Sequence, residues 1–295
     1  MSGLIRLLCL AFLLPVVVGG AAQQFPVTVI DDRGVEITLP EPPERIVALA
    51  PLYCEILLDV GAAERLVGVA SSPDNPSEVA ALPQVGPSFS PTLEEIVALA
   101  PDLVLGGWGE VRRRLEELGL TVLTAGGQGG YIASLPELFA AVGTVGAAAG
   151  CADRARALVG EVARRVIAVE AAVLDLPPVH SAFLYLAAPA ALPYVAGRDT
   201  IEHRLMARAG GENVFADVAG FPQVSLEEVL ARDPAVIFTD PAQVEHVLQT
   251  ELLASLAAVR AGRVYGIKAS AVVSTRVGDT LAEMAALLHP EAAIP

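Results

Sequence analysis

The sequence predicts an α/β fold in two lobes, each built on a parallel sheet, with one long helix between them. Three observations carry this reading. A 14-residue segment occurs twice: residues 92–105 read TLEEIVALAPDLVL and residues 225–238 read SLEEVLARDPAVIF. Short apolar strands alternate with helical patterns on both sides of the chain's middle, the signature of a parallel sheet wrapped by helices. Between the two halves, Cys151–Leu176 has no Pro and a single Gly. Its Leu158, Val162, Val166, Val169 and Val173 recur on one helical face.

Taken in order, the N-terminus comes first. Arg6 precedes the apolar run Leu7–Val18, and Gly20-Ala21-Ala22 offers small residues for cleavage. Residues 1–22 read as a secretory signal peptide, too short for a membrane span. No Cys ends the apolar run, so a lipid anchor is not expected; Cys9 lies inside the leader.

A first lobe is expected over residues 23–149. Val27–Ile30 and Val35–Leu39 flank Asp31-Asp32-Arg33-Gly34 as a hairpin. Arg45–Ala50 and Leu66–Ala70 read as strands around a helix Tyr53–Val60 closed by Gly61. A Pro/Ser-rich loop runs from Ser71 to Pro91, and the first repeat then gives a helix and a strand. Arg112–Leu118, Leu120–Thr124 and Leu135–Ala149 continue the alternation as helix, strand and helix.

The linking helix is assigned to residues 150–176, with about 25 helical residues spanning about 37 Å before Pro177-Pro178 stop it. The second lobe, 177–295, restarts with a strand at Ser181–Leu186. Next comes a helix capped by Thr200 and ending at Gly210-Gly211, and then the second repeat. It closes with helix Gln243–Gln249, strand Arg263–Ile267 and helix Thr275–Leu288.

The repeat places chemistry as well as structure. Thr92 and Ser225 are read as N-caps, with Glu95 and Glu228 closing a capping box three residues later. Pro101 and Pro234 end the helices. Glu94 and Glu227 are left over, one carboxylate at an equivalent surface point of each lobe. Taken alone, a Glu in a first helical turn also serves simply to complement the helix dipole.

Composition narrows the function. A net charge of −15 supplies no basic stripe for nucleic acid. His180, His203, His246 and His289 lack metal-ligand spacing, so no bare-metal site is expected. Gly126-Gly127-Gln128-Gly129-Gly130 follows a strand but lacks the Lys-Ser/Thr of a P-loop and the dinucleotide spacing. No Gly-x-Ser-x-Gly elbow and no His-Glu-x-x-His is present. An exported α/β enzyme is the alternative of a different class, and a binding protein is expected rather than an enzyme. Cys54 and Cys151 remain after the leader, and the sequence leaves open whether they pair or pack as small apolar residues.

Several motifs resemble a known family. They are Pro42-Pro43-Glu44-Arg45-Ile46-Val47, Leu49-Ala50-Pro51 leading to Glu55, and Val67-Gly68-Val69. Pro101-Asp102-Leu103-Val104-Leu105 and Ala209-Gly210-Gly211-Glu212-Asn213-Val214-Phe215 follow. The last are Gly262-Arg263-Val264-Tyr265 and Leu287-Leu288-His289-Pro290. In this order they resemble the periplasmic binding proteins of ABC importers for metal chelates, the vitamin B12, ferric siderophore and haem group. The resemblance implies two Rossmann-like lobes joined by a rigid helix, a periplasmic location, a monomer, no resident cofactor, and a partner permease dimer with its ATPase subunits. It also implies that Glu94 and Glu227 dock onto Arg pockets of the permease.

Phe221-Pro222-Gln223-Val224-Ser225-Leu226-Glu227 is most similar to the corrinoid binders, which makes a corrinoid the first expected ligand, with ferric siderophore or haem next. Loops after strands nominate Tyr53, Phe89, Trp108, Tyr185, Tyr194, Phe221 and Arg276 as ligand contacts, since aromatics give broad, rigid contact to a macrocycle. Tyr53, Tyr131 and Tyr185 are the tyrosines open to haem ligation.

Overall fold

The computed structural model describes residues 23–127 and 130–295. The predicted leader and two members of the glycine-rich loop, Gln128 and Gly129, lie outside the described residues.

The chain opens with an antiparallel hairpin, β1 (Val27–Ile30) and β2 (Glu36–Leu39). The Asp31 carboxylate ties the turn by accepting from the backbone N–H of Arg33 and Val35 at 2.8 and 2.9 Å. The first lobe then follows as β3 (Ile46–Ala48), α1 (Pro51–Asp59), β4 (Leu66–Val69), α2 (Leu93–Ala98), β5 (Leu103–Leu105), α3 (Glu110–Glu117), β6 (Val122–Leu123) and α4 (Leu135–Ala148). Its four strands are parallel in the order β4-β3-β5-β6.

The linking helix α5 (Ala152–Val173) runs 22 residues and buries Val162, Val166, Val169 and Val173, the predicted stripe. That stripe packs against α4 of the first lobe and the terminal helix of the second. Full burial of a valine side chain is worth about 1.5 kcal/mol or more, so the stripe fastens both lobes to one rod.

The second lobe contains β7 (Val179–Tyr185), β8 (Tyr194–Val195), α6 (Ile201–Arg208), β9 (Gly211–Asn213), α7 (Leu226–Arg232), β10 (Val236–Thr239), α8 (Val244–Gln249), α9 (Ala257–Arg260), β11 (Val264–Gly266), α10 (Ala269–Val272) and α11 (Val277–Leu288). Strands β9, β7, β10 and β11 are parallel neighbours in that order, and β8 adds antiparallel to the end of β7.

The two sheets therefore share one topology: the first strand is flanked by the second on one side and by the third, then the fourth, on the other. The repeat is the sequence trace of this duplication, since α2-β5 and α7-β10 occupy the same place in each sheet. Its backbone matches too. Ala100 and Asp233, each preceding the helix-stopping Pro, are both non-glycine residues with positive φ, 46° and 39°. A residue before Pro is pushed out of the helical region, which ends both helices at the same step.

Three sequence expectations are corrected, and one question the sequence left open is answered. The capping box does not form. Ser225 accepts from Glu228 N–H at 3.1 Å, but the Glu228 carboxylate turns to Arg232 at 2.7 Å, and Thr92 makes no side-chain cap. Strands β8 and β9 appear where loop and helix end were expected, because pairing with β7 outweighs local signals. Helix α1 starts at Pro51 rather than Tyr53, using Pro at its first turn. Cys54 and Cys151 are both buried and free; the Cys151 thiol faces the Ala149 carbonyl at 3.4 Å and receives the Arg154 guanidinium at 3.3 Å.

Candidate functional site: an aromatic cleft between the lobes

In an open parallel sheet, ligands meet the loops that leave the carboxyl ends of the strands. Here those ends of both sheets contribute aromatics. In the first lobe, β5 runs into Gly106-Gly107-Trp108. Both glycines have positive φ, 100° and 85°, and a Cβ on Gly106 would meet Leu49 and Tyr53 at 3.0 and 3.2 Å. The buried Arg112 guanidinium pins this loop by donating to the Gly107 carbonyl at 3.1 Å while pairing with Asp32 at 2.9 Å. Trp108 is thereby held with its ring centroid 5.6 Å from that of Phe89, which is 81% exposed. Gly130 makes room for the indole, since a Cβ there would lie 1.4 Å from Trp108 Nε1.

In the second lobe, Tyr185 ends β7. Its ring lies 5.1 Å from the buried Phe183 and 5.9 Å from Phe221. Tyr194 on β8 is the register partner of Tyr185 and is half exposed. The two walls meet directly: Tyr131, on the loop after β6, stands edge-on to Phe221 with centroids 6.2 Å apart and planes at 90°. Edge-to-face pairs at this separation are favourable.

Beneath the aromatics lies an acid. Glu202, in the first turn of α6, is 4% exposed. Its Oε1 accepts from the Tyr185 hydroxyl at 2.8 Å, while Oε2 has no partner among the described residues. Burial pushes the Glu202 carboxyl above its ordinary range, against the pull of its own backbone N–H and the Tyr185 and Thr200 hydroxyls. The Tyr131 and Tyr185 phenols are also raised, first by burial and then by the charge of Glu202.

The nominated residues thus divide. Phe89 and Trp108 stand together at the carboxyl end of the first sheet, and Tyr185, Tyr194 and Phe221 at that of the second. Tyr53 does not reach the cleft. It is 2% exposed, its hydroxyl donates to the Ala125 carbonyl at 3.0 Å and accepts from Ala125 N–H at 3.1 Å, and burial raises its phenol to about 12. Its place in the first turn of α1 makes it core. Arg276 is also elsewhere. It pairs with Asp59 at 3.0 Å in a groove of about 530 Å³ against α5, on the linking-helix side.

Arg276 belongs to a set of inter-lobe ties. Glu55 Oε2 accepts from Ser274 Oγ and Thr275 N–H at 2.7 and 3.1 Å, and Lys268, the sole lysine, pairs with Asp74 at 3.1 Å. Sequence reasoning named Tyr131 only for haem ligation, not among the aromatic contacts, and missed Glu202 altogether. A Glu two residues after a Thr cap looks like any helix-dipole carboxylate, and nothing local marks its burial.

Glu94 and Glu227 are both exposed, each in the first turn of its repeat helix, with no salt bridge among the described residues. No group of three or more His, Cys, Asp or Glu among the described residues is arranged to hold a metal ion.

Comparison with known proteins gives the family. An ABC transporter substrate-binding lipoprotein, YvrC, of Bacillus subtilis is 26% identical over 280 residues, covering 91% of this chain and 87% of that one. A cobalamin-binding protein of Halobacterium salinarum is 28% identical over 286 residues, covering 91% and 75%. The periplasmic haem-binding protein RhuT of Roseiflexus sp. RS-1 superposes with a TM-score of 0.75 at 28% identity, over 84% of this chain and 98% of that one. The family model described as periplasmic binding protein matches residues 46–271, from the first strand of the first sheet to the short helix after the last strand of the second, and the chain belongs to that family of binding proteins.

Proposed function

We propose that the protein is the substrate-binding component of an ABC importer that captures a metal chelate between its lobes, a corrinoid first, and delivers it to a membrane permease. The observation that carries this is the pair of facing aromatic walls, Phe89-Trp108-Tyr131 and Tyr185-Tyr194-Phe221, raised on the carboxyl ends of two like sheets. Broad aromatic surfaces of this kind suit a planar macrocycle or bulky chelate. Export through the leader to the periplasm, work as a monomer and docking through Glu94 and Glu227 complete the reading. The equivalent places of the two carboxylates in the repeated α/β unit support straddling of a permease dimer, each entering an Arg-lined pocket.

The choice of corrinoid over haem has its own support. Among the sequence relatives, the cobalamin-binding protein of Halobacterium salinarum aligns over 91% of this chain. The test is a thermal-shift panel of cyanocobalamin, dicyanocobinamide, haemin, and hydroxamate and catecholate ferric chelates. Binding to the folded state alone raises the melting temperature by mass action. A shift with a corrinoid is expected; no shift with any chelate, together with one for free Zn²⁺ or Mn²⁺, overturns the reading.

A further inference from the structure

We propose that Glu202 is the polar specificity determinant of the cleft: its Oε2 accepts a hydrogen bond from an N–H donor on the rim of the bound chelate, selecting an amide-bearing chelate over a carboxylate-bearing one. This rests on the importer reading above and deepens it.

Three observations carry the inference. The first is the orphaned atom. Glu202 is 4% exposed, its Oε1 accepts from the Tyr185 hydroxyl at 2.8 Å, and its Oε2 has no partner within hydrogen-bond geometry among the described residues, although its own backbone N–H and the Thr200 hydroxyl also favour the charged carboxylate. A buried carboxylate oxygen without a donor is costly and is rarely kept without a use. The second is its address. Tyr185 shares its ring contact with Phe221, and Phe221 shares its own with Tyr131 of the opposite lobe. The carboxylate therefore sits under the point where the two walls meet, close enough to both phenols for its charge to hold their protons on.

The third is the absence of a nearby counter-charge. No cation acts on the Glu202 carboxyl: burial dominates, countered only by hydrogen bonds from its own backbone N–H and the Tyr185 and Thr200 hydroxyls, while Arg204 on the same helix is turned out to solvent. The remaining titratable groups that act on the two phenols, Asp240 on Tyr185 and Glu137 on Tyr131, are acidic as well. A ligand carboxylate reaching Glu202 meets like charge, and the Trp108 indole N–H, unpartnered among the described residues, stands in the opposite wall. An amide N–H meets an acceptor already oriented by Tyr185. Sites built around a buried hydrogen-bonding group reject ligands that cannot complete it far more strongly than apolar pockets reject a change of size.

The experiment is calorimetric titration of the full chain with dicyanocobinamide, which carries peripheral primary amides, and with haemin, which carries two carboxylates, for wild type, Glu202→Gln and Glu202→Leu. Wild type should bind the cobinamide at least tenfold more tightly than haemin. Losing one charge-assisted bond should weaken the cobinamide about tenfold to a hundredfold in Glu202→Leu and as much in Glu202→Gln, whose one oxygen stays with the Tyr185 hydroxyl and whose NH2 group turns a donor toward the ligand. Haemin should be unchanged or tighter in both variants. A thermal melt of each variant checks that it is folded, and Glu202→Gln retains the side-chain shape if Glu202→Leu is not. Wild type favouring haemin, an unchanged cobinamide affinity in the variants, or an equal loss for both probes overturns the role of Glu202 and leaves the importer reading standing. Wild type binding no chelate overturns both.

Discussion

Glu202 also makes a prediction about the empty protein. Replacing it with Gln keeps the side-chain shape and the acceptor for the Tyr185 hydroxyl but removes a charge that burial disfavours. A buried carboxylate oxygen with no donor costs about 1–3 kcal/mol, and the residue is 4% exposed, so little of this is screened by water. The gain from Glu202→Gln at pH 7.5 should be about 1–2 kcal/mol, since the amide nitrogen also lacks a partner. In a chain of this size each kcal/mol moves the melting temperature about 2–4 °C, giving a rise of roughly 2–8 °C.

The sign of the pH dependence follows from linkage. The folded-state pKa of Glu202 lies above its ordinary value of 4.5, so the folded wild type holds the proton more tightly than the unfolded chain. The group's favourable contribution is complete below 4.5 and is lost as pH rises through the folded pKa. The advantage of Glu202→Gln should therefore be largest at neutral pH and vanish toward pH 4. Differential scanning calorimetry of both proteins from pH 4 to 8 measures it. A variant less stable than wild type at pH 7.5, or a difference independent of pH, would refute the claim that Glu202 is an uncompensated buried charge.

Three further outcomes are expected. Glu94→Ala and Glu227→Ala should each leave chelate affinity unchanged and weaken binding to the permease, and the double variant should nearly abolish uptake in cells; normal uptake would reduce both residues to helix-end carboxylates. Gly130→Ala should displace Trp108, because the new Cβ falls 1.4 Å from the indole nitrogen and φ is +80°, and so shift tryptophan emission and weaken chelate binding; an unaltered spectrum with unaltered affinity would contradict the packing. Tyr53→Phe should lower stability by about 1–3 kcal/mol by stripping the Ala125 peptide of its hydroxyl partner, with ligand affinity untouched; lost affinity without lost stability would return Tyr53 to the site.

What the sequence made legible was whatever repeats or runs long. The duplicated segment exposed two like lobes because both copies must do the same local work: start a helix, stop it at Pro and enter a buried strand. The valine stripe of α5 was legible because a helical face repeats over 22 residues. Short strands were not. The two residues of β8 and three of β9 carry no period of their own and exist only as partners of β7.

The site was half legible for a related reason. Aromatics after strands can be nominated from the chain, but their final place depends on a residue or two. Beginning α1 at Pro51 turns Tyr53 into core, while Tyr131 reaches across to Phe221 from a loop whose path no local signal sets. Arg276 was nominated for its charge, yet its nearest acid, Asp59, comes from the other lobe, more than two hundred residues away in the chain. Glu202 is the extreme case, because burial of a carboxylate is a tertiary fact with no sequence pattern.

The central claim is that the facing aromatic walls bind a metal chelate. Trp108 is the only tryptophan in the chain and stands in one wall, so its emission reports on the cleft alone. Titrating the protein with cyanocobalamin while following that emission is the most direct test. Saturable quenching at one chelate per chain, lost in Phe221→Ala on the opposite wall, is the predicted result. Emission that stays unchanged through a saturating range of corrinoid, haem and siderophore chelates would contradict it.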